Sequence, residues 1–183
     1  IGSNLRKDHP LLAQRIRQAQ RRGAQVSALV AETPDWALPL AHTLVADPGR
    51  WPLELAGIAA AVAQAQGIAS PVPDAVAVNE RARAIAASLL GGERKALLLG
   101  NAAAHHEQAS SLLALAQWIA QRTGARWGFL SEAANTVGAQ LVQALPGAGG
   151  LNATQILSGA AKAVLLLNAE VGLDTAVCGK GLA

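Results

Sequence analysis

Two short stretches carry the residues best suited to binding chemistry. One is Gly2-Ser3-Asn4 followed by His9-Pro10, the other Gly100-Asn101 followed by His105-His106. In each, an apolar residue or run ends on a glycine, an asparagine follows, and a histidine stands five residues after that asparagine. Glycine lets backbone come close to a ligand, and asparagine can cap a helix or bond a base or sugar. Loops at the carboxyl ends of parallel strands line the crevice in which open α/β sheets hold ligands. A helix N-terminus there suits phosphate. Gly2, Ser3, Asn4, Gly100 and Asn101 are therefore the candidate cofactor-binding residues. Neither stretch reads G-x-G-x-x-G, and G-x-x-x-x-G-K-[ST] occurs nowhere, so the spacing alone leaves tight turns and caps as the competing reading.

Other reactive patterns are weak. His105-His106-Glu107 are consecutive, which makes a poor tetrahedral site, and capping or surface exposure is expected of these residues instead of metal binding. Ser3, Ser131 and Ser158 lack the G-x-S-x-G elbow, and Cys178 stands in a Gly-rich tail with no histidine beside it. Glu32, Asp35 and Glu132 read as solvated loop carboxylates. No residue is assigned a catalytic role and no metal site is expected. The lone cysteine excludes an internal disulfide or a cysteine-rich cluster site within these 183 residues.

The elements that must position the two stretches follow from hydrophobic patterning. Pro10 opens a helix with Leu12, Ile16 and Ala19 on one face, and Gly23 ends it. Residues 25–30 form a buried strand, so the start of the chain reads strand end, helix, strand. Residues 31–52, punctuated by four prolines, are mostly connection, with a short edge strand at 42–45. A helix runs from Pro52 to Gly67 with Leu55, Ile58 and Val62 inward, and another from about 75 to 90. Lys95–Leu99 reads as a central parallel strand covered on both faces. Residues 100–106 read as a loop, followed by a helix over 107–123, a strand over 126–130, short helices near 140 and 152–157, and a last strand over 162–167. Asparagine then follows three strand ends, at Asn4, Asn101 and Asn168. The alternation predicts an α/β fold, a doubly wound and mostly parallel sheet with helices on both faces.

Composition bounds the rest. Hydrophobic residues make up 51% and charged residues 15%, enough for a substantial core. Four Trp, one Phe and no Tyr leave few stacking platforms, which argues against a single-stranded nucleic-acid binder. Six of the fifteen basic residues fall within residues 6–22 against one acid, Asp8, and read as a solvated helix face or as a surface for an acidic partner or a phosphate. No apolar stretch is long enough to insert into a membrane. The lack of any Met and the start at the end of a strand suggest a fragment of a larger chain. It is expected to form one α/β domain over 1–183, with a first βαβ half over about 1–66, a second over about 76–174 and a flexible tail at 175–183.

The motif G-S-N-x-x-x-x-H-P, followed by a helix ending R-R-G-A and a strand, resembles the molybdopterin oxidoreductases. Taken with LLLGNAAAHHEQASSLLALAQWIA, EAANTVGAQL and AVLLLNAE, it is similar to the large G-type subunit of bacterial NADH–quinone oxidoreductase, respiratory complex I. The resemblance implies a structural domain of an electron-transferring subunit that passes electrons from NADH toward quinone. Its partners would be other subunits of the peripheral arm, on the cytoplasmic side of the bacterial inner membrane. Iron–sulfur clusters are expected elsewhere in such a chain, on cysteines this one lacks. In molybdenum enzymes of the superfamily, loops matching Gly2–His9 and Gly100–His106 face the pterin dinucleotide, and D-P-R usually follows the second strand. Here Ala31-Glu32-Thr33-Pro34 stands instead, which argues against molybdopterin and for a domain with no cofactor of its own. The alternative is a cofactor-binding domain of a molybdopterin-dependent oxidoreductase, such as a formate dehydrogenase, using Gly2, Asn4, Gly100 and Asn101. A free-standing nucleotide-binding module is a third.

Overall fold

The computed structural model describes residues 1–73, 75–131 and 135–174. The expected tail at 175–183, with Cys178, lies outside them, as does Glu132. The chain divides into two compact units, 1–132 and 133–183.

In the first unit, Asn4 caps a four-residue helix α1 (Leu5–Asp8), with its side-chain oxygen accepting from the Lys7 N–H at 3.3 Å. Pro10 then opens α2 (Pro10–Arg21), where its missing N–H costs nothing. The helix ends at Arg22, and Gly23 follows at φ +94° as its turn requires. Two strands come next, β1 (Ser27–Val30) and β2 (His42–Val45), paired in parallel with Leu29 opposite Leu44. The edge strand expected at 42–45 is therefore present.

Helix α3 (Trp51–Gln66) buries an unbroken run from Leu55 to Ala63 and ends on left-handed Gly67. A helix apolar on every side must be covered on every side, and small residues let its neighbours approach closely. A Cβ at Gly57 would stand 3.1 Å from the Ala77 carbonyl. The neighbours are α4 (Glu80–Gly91) and α6 (Ala109–Thr123). Helix α4 begins later than the apolar pattern suggests, because the Asn79 side chain accepts from the Ala82 N–H at 2.8 Å and sets the start there. Between α4 and α6 lie β3 (Ala96–Leu99) and α5 (Asn101–Ala104). Gly124 closes α6 at φ +72°, and β4 (Arg126–Phe129) pairs in parallel with β3.

The two strand pairs are joined through the first two residues. The Ile1 amino group donates to the Leu98 carbonyl at 2.8 Å, Gly100 N–H donates to the Ile1 carbonyl at 2.7 Å, and Gly2 N–H donates to the Leu29 carbonyl at 2.9 Å. The spatial order is thus β2, β1, residues 1–2, β3, β4, parallel throughout. Alternate residues of β1 face opposite sides. Leu29 joins a core of Leu44, Trp51, Leu55, Ile58, Leu97, Leu99, Leu112 and Ile119 under α3, α4 and α6. Ala28 and Val30 join Leu5, Ala13, Trp36 and Leu38 under α2. Helices cover both faces, and the chain is an α/β protein, as expected.

In the second unit, α7 (Thr136–Leu141) is followed by α8 (Ala153–Gln155). A reciprocal cap starts α8, in which Asn152 and Gln155 each accept the other's N–H at 2.9 Å. A wide turn over Ile156–Ala160 comes next, and α9 (Val171–Asp174) is the last described element. The strand expected at 162–167 is not there: the segment has no ladder partner among the described residues, and Leu165 and Leu167 are 95% and 89% exposed. An apolar run becomes a strand only where another strand's edge completes its backbone bonds, and composition does not report that. Asn168, at φ +52°, accordingly follows no strand end, and the asparagine pattern holds at two places instead of three.

Candidate functional site

Strands β1 and β3 lie on either side of residues 1–2, and their connections leave in opposite directions. Residues 1–2 lead through α1 and α2 to β1, while β3 leads through α5 and α6 to β4. This reversal of winding opens a crevice at the carboxyl ends of the strands. A crevice of about 870 Å³ is found there, and Gly2, Ser3, Asn4 and Asn101 line it together with Trp36 and Trp51. Four of the five candidate residues are therefore brought together. The fifth, Gly100, lies directly beneath, against Ser3.

What the glycines do is less expected. A Cβ on Gly2, whose φ is +59°, would stand 2.7 Å from both the Trp51 ring and the Ala103 nitrogen. A Cβ on Gly100 would stand 2.3 Å from the Ser3 Cβ and 2.5 Å from the Gly2 carbonyl oxygen. Each glycine is required because the protein's own atoms fill the space above it. The asparagines have separate tasks. Asn4 is the cap of α1, whereas Asn101 is the first residue of α5, whose cap position is Gly100. Residues 100–106, expected as a loop, are thus partly helical, because Ala103 N–H and Ala104 N–H both close onto the Gly100 carbonyl.

The histidines also differ. His106 stacks on Trp51 with ring centroids 5.9 Å apart and planes 22° from parallel. Its Nε2 lies 2.9 Å from the Pro48 carbonyl, and its Nδ1 accepts from the Gln108 N–H at 2.9 Å. The carbonyl can only accept, so Nε2 donates to it. His106 thus ties down the turn before α6 without capping it, since no side chain caps that helix, and His105 is exposed at the end of α5. His9 joins α1 to α2, and its Nε2 is buried without a partner, as is Ser3 Oγ. Among the described residues no group of three His, Cys, Asp or Glu stands close enough to hold a metal ion.

Two cations border the crevice, Arg6 and Lys7, against three carboxylates, Asp8, Glu32 and Asp35, so its rim is one unit negative. Arg6 is already paired with Asp35, and Asp8 accepts from the Asn4 N–H at 3.0 Å. The Arg6–Asp35 pair is well exposed and contributes at most about 1 kcal/mol. Sequence patterning missed Trp51, which is 2% exposed, donates its indole N–H to the Ala46 carbonyl at 3.0 Å and walls the crevice. Only its place at the start of an apolar helix hinted at burial.

The family model for molybdopterin oxidoreductases matches residues 1–176. No curated protein and no solved structure matches the chain.

Substituting Gly100→Ala should destabilise the protein by about 3 kcal/mol or more, since the new methyl meets backbone and a Cβ that cannot swing away. Adding Ser3→Gly should recover part of that loss, and the double-mutant cycle in urea reads the coupling. Ser3→Ala alone should be neutral or stabilising by up to about 1 kcal/mol, because it deletes a buried hydroxyl with no partner.

Proposed function

This chain belongs to the molybdopterin oxidoreductase family, and we propose that it is a structural, cofactor-free domain of the large, electron-transferring G-type subunit of NADH–quinone oxidoreductase. The carrying observation is the state of the crevice. Its glycines are filled from within by Trp51, Ala103 and Ser3, and the Asn4 side-chain oxygen is engaged by Lys7 N–H.

A pterin dinucleotide would bring two phosphates to this crevice. The rim is one unit negative, and its Arg6 is paired with Asp35. Like charge at close range repels, and an exposed pair must be broken before Arg6 can serve a phosphate. Glu32, three residues before Asp35, adds a carboxylate where positive charge is needed. The residues present do not fit the group, and no reaction step is assigned through it.

Electron transfer from NADH toward quinone would then run through iron–sulfur clusters in other parts of the parent assembly. This domain would supply packing surface to neighbouring subunits of the peripheral arm, on the cytoplasmic face of the bacterial inner membrane. No helix among the described residues is long and apolar enough to cross a membrane, which agrees with a peripheral position.

Two measurements test the reading. Calorimetric titration of the chain with a guanine dinucleotide should give no binding up to about 1 mM, an affinity no better than about 4 kcal/mol. In the assembled complex, Asn4→Ala and Asn101→Ala together should leave NADH–quinone electron transfer within about twofold, which is less than 1 kcal/mol in the barrier. Molybdenum and pterin at one equivalent per chain in the purified protein would instead assign the domain to a molybdopterin-dependent oxidoreductase such as a formate dehydrogenase.

A further inference from the structure

Helix α2 packs Leu12, Ala13 and Ile16 onto the core that holds Trp36 and Leu38. Its opposite side carries two adjacent rows of exposed residues at the three- and four-residue spacing of a helix surface. One row is Leu11, Arg15, Gln18 and Arg22, the other Gln14, Arg17 and Arg21. The helix contains no acid. Among the described residues, Arg15, Arg17, Arg21 and Arg22 form no ion pair, and none of them lines the crevice.

Solubility does not account for this pattern. The net charge is +3, so without these four arginines the chain would carry −1, and the excess positive charge sits on one helix face. The helix dipole favours Arg21 and Arg22 at the carboxyl end, but not Arg15 and Arg17 in the middle. Arg17 and Arg21 are like charges four residues apart, which opposes the helix. All four cations are arginines, whose planar fork pairs with carboxylates in two parallel hydrogen bonds. Leu11 stands at the start of the first row and is 80% exposed.

We propose that the outer face of α2 docks an acidic helix of a different protein, with carboxylates opposite Arg15 and Arg22 and an apolar residue against Leu11. Charge complementarity and the four-three-four spacing of that row name the occupant. A second copy of this chain does not fit, because each of its described helices carries at most one acidic residue. A bilayer or a duplex is also the wrong shape. Helix α2 is about 18 Å long, and either surface would extend past its first turn onto the negative rim of Asp8, Glu32 and Asp35. A bilayer would further need an apolar helix face, and that of α2 is already packed against the core. A partner helix of similar length meets the arginines and not the rim. The proposal concerns a surface apart from the crevice and holds whatever the crevice binds.

The test uses two stapled helical peptides of identical composition, one with its glutamates in a single stripe at four-three-four spacing and one with them spread around the helix. Fluorescence anisotropy should show the striped peptide binding this chain at least about fivefold more tightly. Arg15→Gln with Arg22→Gln should weaken that binding about tenfold. Arg81→Gln with Arg83→Gln on α4 makes the same change in charge elsewhere, and should leave binding within about twofold. Equal affinity for the two peptides, which needs no variant to fold, would overturn the proposal. Equal losses in the two double variants would overturn it as well. So would tighter binding of phosphatidylserine vesicles, or of a duplex of about 20 base pairs, than of the striped peptide.

Discussion

Three backbone hydrogen bonds, made by Ile1 and Gly2, hold the first unit's two strand pairs in one layer. Without them β1–β2 and β3–β4 are separate two-stranded ribbons, and an isolated ribbon is marginal in water. With them, Leu29 and Leu44 share one core with Leu97 and Leu99, and one continuous apolar floor receives α3, α4 and α6. The breadth of that floor explains why α3 is apolar on all sides. It lies between α4 and α6 and above the line where the two ribbons meet.

The same rung places the crevice. Because the chain leaves residues 1–2 toward β1 and leaves β3 toward β4, the strand ends diverge at this line and nowhere else among the described strands. In many α/β proteins that divergence is where a ligand sits. Here it is tightened from within. Trp51, held by Ala46 and stacked on His106, closes over Gly2, while Ser3 closes over Gly100. Packing of this kind is favourable for the fold, since aromatic burial and close contact both add stability. It also means that the two glycines serve the fold directly, whatever the crevice holds.

Much of this was legible where a local signal decides the outcome. Gly23, Gly67 and Gly124 ended helices in the left-handed conformation, as a glycine after an apolar-periodic run implies. The edge strand at 42–45 and the central strand near 96–99 stood out as short apolar runs bounded by turn residues. The candidate residues Gly2, Ser3, Asn4 and Asn101 did converge, because the strand–glycine–asparagine pattern marks strand ends. What stayed hidden depends on tertiary partners. Helix α4 starts where Asn79 finds an N–H to cap, not where the apolar pattern begins. Residues 162–167 have strand composition and no ladder partner among the described residues. The role of Trp51 depends on Gly2 and His106, which are distant in sequence.

The self-filled glycines bear on how such a domain changes over generations. A residue kept for a ligand is released from selection once the ligand is gone, and it drifts. Gly2 and Gly100 have no such freedom, because a methyl group at either collides with Trp51 or with backbone two or three ångströms away. They are retained by the fold itself. A glycine at these two strand ends therefore says nothing by itself about whether the crevice holds a cofactor.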